Sequence, residues 1–214
     1  MLKNLAESFI YGPFCNLFCS LFVKEVNGIE NIPAGASILA SNHSSYLDIP
    51  SLSFGMYKIT KRKVRYIAKK ELSYDPLMRY ALGIGKAILI DRSKKDEGAF
   101  NEALDSLKNG EIVGIYPEGG RSSVRKIQKG KTGVARLALW AKVPVVPVGI
   151  KGTFEILPKG KMVPKLKRSI IVNIGEPIYF NMCYNKKITK KLLRSITKTI
   201  MKSIADLAGQ EYAS

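Results

Sequence analysis

Short apolar runs alternate with stretches of helical period along most of this chain. Residues 37–40, 64–68, 87–90, 112–116, 145–150 and 169–174 are apolar segments of strand length, bounded by polar, Gly or Pro positions. Such near-continuous runs mark strands covered on both faces. Between them the spacing predicts helices at about residues 45–54, 76–82, 96–108 and 133–141, and Asn109-Gly110 supplies a stop signal for the third. Residues 26–33 read as a short strand and turn. Toward the end, Ile188, Leu192, Leu193, Ile196, Ile200 and Ile204 recur at helical period opposite a lysine-rich face that begins at Lys186. The alternation predicts an α/β fold with a mostly parallel central sheet flanked by helices.

The first part of the chain departs from this pattern. Residues 8–23 carry no charge and are rich in aromatics, among them Phe9, Phe14, Phe18 and Phe22. Sixteen residues fall short of the roughly 20 needed to span a bilayer, and Gly12-Pro13 interrupts them. No small-x-small cleavage site follows, which argues against a removed signal peptide. The expectation is an N-terminal helix lying in the membrane interface over residues 1–25, followed by one domain over 26–214. Packing of that helix on the domain core is the competing reading.

Composition narrows the partners. With 35 Lys and Arg against 17 Asp and Glu, the net charge of +18 calls for an anionic partner or surface, whether nucleic acid, anionic lipid or an acidic carrier protein. Five of these cations, Lys58, Lys61, Arg62, Lys63 and Arg65, fall in one run without an acidic neighbour in sequence. Cys15, Cys19 and Cys183 have no metal-ligand or CxxC spacing and read as reduced thiols in the cytoplasm.

His43 is the only histidine, five residues before Asp48 in Asn42-His43-Ser44-Ser45-Tyr46-Leu47-Asp48. A lone imidazole excludes a multi-histidine metal site and leaves one group that exchanges protons near neutrality, with a carboxylate to orient it. Two readings stand. Ser45-x-x-Asp48 fits a helix start in which the acid caps amides, or the ring folds back onto Asp48 across a strand–turn–helix. Two further predicted strands end at chemistry-bearing groups, Asp91-Arg92 and Glu118-Gly119-Gly120-Arg121. Ligands of open α/β sheets gather at the carboxyl ends of strands.

These blocks resemble those of the glycerolipid acyltransferase family, specifically the 1-acylglycerol-3-phosphate (lysophosphatidic acid) acyltransferases. Residues 42–48 are similar to its His-x4-Asp motif, residues 85–92 to the block ending in arginine, Tyr116-Pro117-Glu118-Gly119-Gly120-Arg121-Ser122 to its Phe-Pro-Glu-Gly-Thr-Arg-Ser block, and residues 143–148 to its proline-containing block. Residues 66–72 and 131–138 are also similar, so the likeness covers most of the chain. Gly120 replaces the usual threonine, and Gly130 stands where an aromatic often precedes the lysine.

The resemblance implies acyl transfer from a thioester, acyl-CoA or acyl carrier protein, to the hydroxyl of lysophosphatidic acid, giving phosphatidic acid. His43 would take the hydroxyl proton, since an imidazole ordinarily titrates at about 6.5, and Asp48 would fix its tautomer. Neither Ser44 nor Ser45 sits in a Gly-x-Ser-x-Gly elbow, so direct attack by the acceptor is expected, without an acyl-enzyme. Arg92 and Arg121 would grip the acceptor phosphate, Gly119 would let the backbone approach it, Lys69 is a weaker contributor, and Glu118 would hold the arginines. No metal or other cofactor is implied. Location on the cytoplasmic face of a membrane, as a peripheral or monotopic protein, follows from lipid substrates. Acylation of another lyso-lipid or of glycerol 3-phosphate is the nearest alternative. A non-catalytic basic protein that binds membrane or nucleic acid is the alternative from another class, although no nucleic-acid-binding signature is present.

Overall fold

The computed structural model describes residues 13, 15–91, 93 and 96–213. Among these, seven strands form one sheet: β1 (Val23–Asn27), β2 (Ser37–Ser41), β3 (Val64–Lys69), β4 (Ile88–Ile90), β5 (Ile112–Ile115), β6 (Val145–Lys151) and β7 (Ile170–Ile174), in the order β1-β7-β6-β2-β5-β3-β4. All neighbours are parallel except β6 and β7, which pair antiparallel. The strands β6, β2, β5, β3 and β4 therefore point their carboxyl ends one way, and β7 and β1 begin at that same edge. The expected mostly parallel α/β sheet is the observed one.

Alternation along the strands divides the core into two layers. Ile38, Ala40, Val113 and Val145 face helices α4 (Glu97–Lys108), α5 (Gly133–Ala141) and α7 (Lys190–Ala208). Leu39, Ile112, Val146 and Val148 face α2 (Asp48–Thr60) and Phe22 of α1 (residues 15–22). A side chain at Gly149 of β6 would begin 2.3 Å from the Ala208 nitrogen, so that glycine is what lets α7 rest directly on the strand. The lysines of α7 face outward, as a solvated surface over a packed helix. The remaining α-helices among the described residues are α3 (Pro76–Ile84) and the single turn α6 (Thr153–Ile156).

Three sequence expectations are refined. The helix expected from Ser45 to Phe54 starts at Asp48 and runs to Thr60. Residues 44–47 form a turn instead, and the helix passes Gly55 because Met56 and Tyr57 add buried apolar surface. The expected boundary at residue 25 falls inside β1, which pairs with β7 from Val23 onward. The third concerns α1: Cys15, Cys19 and Phe22 are buried, with Cys15 and Cys19 packed on Phe54 and Tyr57, while Leu17 and Leu21 remain exposed. Burial pushes the Cys15 thiol up to about 12, helped by the neighbouring Cys19, in keeping with apolar packing. Phe9, Ile10 and Phe14 of the expected interfacial segment lie outside the described residues.

Candidate active site

The chain leaves β2 at Ser41, and Asn42 fixes its direction. The Asn42 amide donates to the Ile150 carbonyl at 2.9 Å and accepts from the Ile150 N–H at 2.7 Å, extending the β2–β6 pairing by one step through a side chain. The next residue, His43, therefore emerges at the carboxyl edge of the sheet. Its Nδ1 lies 2.8 Å from Asp48 Oδ2, with the ring 15% exposed and Asp48 fully buried.

The two readings of Asp48 turn out to be one arrangement. The same Oδ2 that meets the imidazole also accepts the N–H of Ser44 at 2.7 Å and of Ser45 at 2.8 Å. The acid thus caps amides that precede it, and it closes the turn that brings the ring back. Oδ1 accepts the hydroxyl of Thr153 at 2.5 Å. Four donors satisfy a carboxylate with no solvent access, at about 1.5–3 kcal/mol per charge-assisted bond, which offsets its desolvation. Since Oδ2 only accepts, Nδ1 carries the proton in this contact and Nε2 is the nitrogen with the free lone pair.

An aromatic stack supports the ring. Tyr116, at the end of β5, lies 4.1 Å from the His43 ring at 20°, and Tyr66 of β3 lies 5.8 Å beyond at 13°. Burial, with Tyr66 and Asp48 nearby, pushes the Tyr116 phenol well above the usual tyrosine range. This residue is a neutral wall at any physiological pH.

Glu118 corrects an expectation. Its two oxygens do not hold an arginine among the described residues; they accept backbone amides, from His43 at 2.7 Å and from Gln128 at 2.9 Å. The side chain ties the β2 loop to the segment after the Glu-Gly-Gly-Arg turn. Burial pushes this carboxyl up to about 7, with Asp48 adding to the rise and the two amides opposing it. Ser122 adds a second tie, its N–H donating to the His43 carbonyl at 2.7 Å.

Arg121 lies over Tyr46, its guanidinium carbon 3.5 Å from the ring centre, so the Glu-Gly-Gly-Arg turn and the His43–Asp48 loop share one rim. Gly119 has φ +76°, and a side chain there would begin 2.8 Å from the Lys131 chain. The room that this glycine leaves is lined by the Lys131 side chain, which places its ammonium against the Glu-Gly-Gly-Arg turn. Lys69 ends β3, two strands from β2, and its ammonium is 3.1 Å from Glu71. Arg92 falls outside the described residues.

Sequence reasoning missed Thr153, Tyr116, Tyr46 and Lys131 as parts of the site. Thr153 follows the carboxyl end of β6, so the strand-end rule that singled out three strands would have found it at a fourth. The others sit inside or beside the motif blocks, with nothing in their spacing to say which way they point.

The sequence model of the acyltransferase family matches residues 24–151. A 1-acyl-sn-glycerol-3-phosphate acyltransferase of Bacillus subtilis (strain 168) is 30% identical over 185 residues, covering 85% of this chain and 86% of that one. The enzyme of that name from Saccharomyces cerevisiae is 30% identical over 166 residues, covering 72% and 53%. Its Pseudomonas aeruginosa namesake is 35% identical over 127 residues, covering 58% and 48%, so this chain spans about half the length of those two. Among solved structures, the 1-acyl-sn-glycerophosphate (LPA) acyltransferase PlsC of Thermotoga maritima superposes with a TM-score of 0.72 at 28% identity, covering 97% of this chain and 83% of that one.

Proposed function

The chain belongs to the acyltransferase family, and from that premise we propose that it acylates the free hydroxyl of 1-acylglycerol 3-phosphate from a thioester donor, giving phosphatidic acid. The observation that carries the mechanism is the 2.8 Å contact between His43 Nδ1 and the buried Asp48. With Nδ1–H committed to Asp48, Nε2 takes the proton of the acceptor hydroxyl while its oxygen attacks the thioester carbonyl. Asp48 stabilises the imidazolium that forms. The tetrahedral intermediate collapses, the carbon–sulfur bond breaks, and the imidazolium returns its proton to the leaving thiolate. No enzyme nucleophile is used, and both acyl-CoA and acyl carrier protein present the same thioester.

Arg121 and Lys131 hold the acceptor phosphate, with Gly119 providing the positive-φ turn between them, and Arg92 and Lys69 stand as further contributors. Glu118 acts on this site through the backbone rather than by touching phosphate, where its charge would be repelled. The deciding experiment is thioester consumption by purified protein with lysophosphatidic acid, glycerol 3-phosphate and other lyso-lipids in competition. Preference for lysophosphatidic acid, and loss of about 10²–10⁴ in rate for His43→Ala, are the expected results. Turnover by His43→Ala at the parent rate would remove the mechanism.

The enzyme works as a peripheral, monotopic protein on the cytoplasmic face of a membrane. Supporting this, no helix among the described residues is long and apolar enough to cross a bilayer, while Leu17 and Leu21 of α1 point away from the protein, 57% and 42% exposed. Because Cys15, Cys19 and Phe22 belong to the core, removal of residues 1–24 would damage the fold. Leu17→Ser with Leu21→Ser is the cleaner change. It should weaken flotation with anionic vesicles by about 1 kcal/mol per side chain, at unchanged thermal stability, and full retention of flotation would move the anchor elsewhere.

A further inference from the structure

The segment from Pro158 to Arg168, between α6 and β7, exposes three large apolar side chains. Met162, Val163 and Leu166 are 87%, 81% and 80% exposed. Single exposed apolar residues need no explanation, but these three fall within five positions at the outer part of one loop. The same eleven residues contain Lys159, Lys161, Lys165, Lys167 and Arg168 and no acid. The loop is anchored at its base by the Lys165 N–H, which donates to the Ile156 carbonyl at 3.0 Å. A second anchor is Arg168 Nε, which donates to the Val23 carbonyl at 3.0 Å.

Its place in the fold gives the pattern a use. The loop leaves α6, whose Thr153 holds Asp48, and Leu157 accepts the Ser45 hydroxyl at 2.7 Å. It therefore starts from the second layer of the His43–Asp48 turn. Through Arg168 and Val23 it also meets the end of α1, where Leu21 is exposed. The apolar positions of α1 and of this loop thus flank the carboxyl edge of the sheet on the same side of the molecule.

We propose that residues 158–168 form a second docking element for an anionic lipid bilayer, sited at the rim of the active site, with Met162, Val163 and Leu166 entering the headgroup boundary and the surrounding lysines meeting anionic headgroups. Apolar tips flanked by cations suit that surface, because burial of the tips supplies an unscreened part and the cations a screened part of the attachment. The consequence is orientation. A bilayer held by α1 alone leaves the molecule free to tilt, whereas a second attachment beside Thr153 keeps the mouth of the site against the membrane that holds the acceptor. This consequence rests on the acceptor being a membrane lipid; the docking itself does not.

The test uses the full chain and vesicles of phosphatidylcholine with or without phosphatidylglycerol, in the absence of donor and acceptor. Met162→Ser, Val163→Ser and Leu166→Ser together should lower partition onto the anionic vesicles by at least about tenfold, with the thermal midpoint unchanged because all three side chains are solvated in the free protein. Lys159→Glu, Lys161→Glu, Lys165→Glu and Lys167→Glu together should reduce partition onto anionic vesicles and leave that onto pure phosphatidylcholine unaltered. Parental flotation by the serine variant overturns the proposal, including the case in which the loop receives an acidic protein instead. Flotation needs no turnover, so its outcome is independent of which acceptor the competition assay identifies.

Discussion

The two edges of the sheet treat the same residue types in opposite ways. At the amino edge, Arg65 at the start of β3 is surrounded by acceptors: Glu102 at 2.6 Å, Glu111 at 3.1 Å, the Ser106 hydroxyl at 2.5 Å and the Lys86 carbonyl at 2.8 Å. Arg62 donates to the carbonyls of Pro33 and Gly35. At the carboxyl edge the buried Asp48 and the half-buried Glu118 are satisfied by backbone amides, a hydroxyl and an imidazole, and Arg121 rests on an aromatic face with no carboxylate partner among the described residues. An arginine whose fork is committed to protein acceptors, as in Arg65 with four of its five N–H groups engaged, holds the architecture. One kept away from carboxylates retains its fork for a ligand. The cationic run that lacked acidic neighbours in sequence finds two of them in space, Glu102 and Glu111 beside Arg65.

The comparison is most easily broken at Asp48. Asp48→Asn keeps the shape of the side chain but offers the imidazole the wrong partner, and kcat should fall by about 10⁴. Thermal stability should move far less than activity. A variant that keeps activity would make Asp48 a cap and nothing more.

Glu118 sharpens the contrast through pH. Its carboxyl in the folded protein sits at about 7, above its ordinary value of 4.5. The folded state therefore binds this proton more tightly than the unfolded state. The stabilising contribution is complete below about pH 4.5 and is lost as pH rises through about 7, an effect of at most about 3 kcal/mol. Glu118→Gln should remove that dependence, so the difference in thermal midpoint between parent and variant should shift in the variant's favour as pH rises across this window. A constant difference would mean that the carboxyl is not held up by burial.

The smallest effects test the two arginines against each other. Arg121→Lys should raise the Michaelis constant for the acceptor by the equivalent of about 1.5–3 kcal/mol, because an ammonium cannot reproduce the two-donor fork, with the thermal midpoint nearly unchanged. Arg65→Lys should do the reverse, lowering stability by about 1 kcal/mol since its partners are half exposed, with steady-state constants close to the parent's. If Arg121→Lys changed only the constant for the acyl donor, its assignment to the acceptor phosphate would be wrong.

Period and spacing along the chain were enough to reveal six of the seven strands, most of the helices and the mostly parallel sheet, because burial on both faces leaves near-continuous apolar runs that need no tertiary information to read. The strand β1, expected within residues 26–33, runs instead over Val23–Asn27. The pairing of His43 with Asp48 was one of two readings that the spacing left open: the two are five residues apart, and a single turn decides whether they meet. What joins that pair to the rest of the site was not local. Thr153 reaches Asp48 across 105 residues and Glu118 reaches the His43 amide across 75. Those partners depend on strand order, which sets β5 and β6 on either side of β2. The same holds for α1, where an uncharged aromatic segment is equally compatible with lipid and with a protein core. Only the position of Phe54 and Tyr57 beneath it turned Cys15 and Cys19 inward and left Leu17 and Leu21 outside, since burial of an apolar side chain is decided by whatever surface the fold brings within reach.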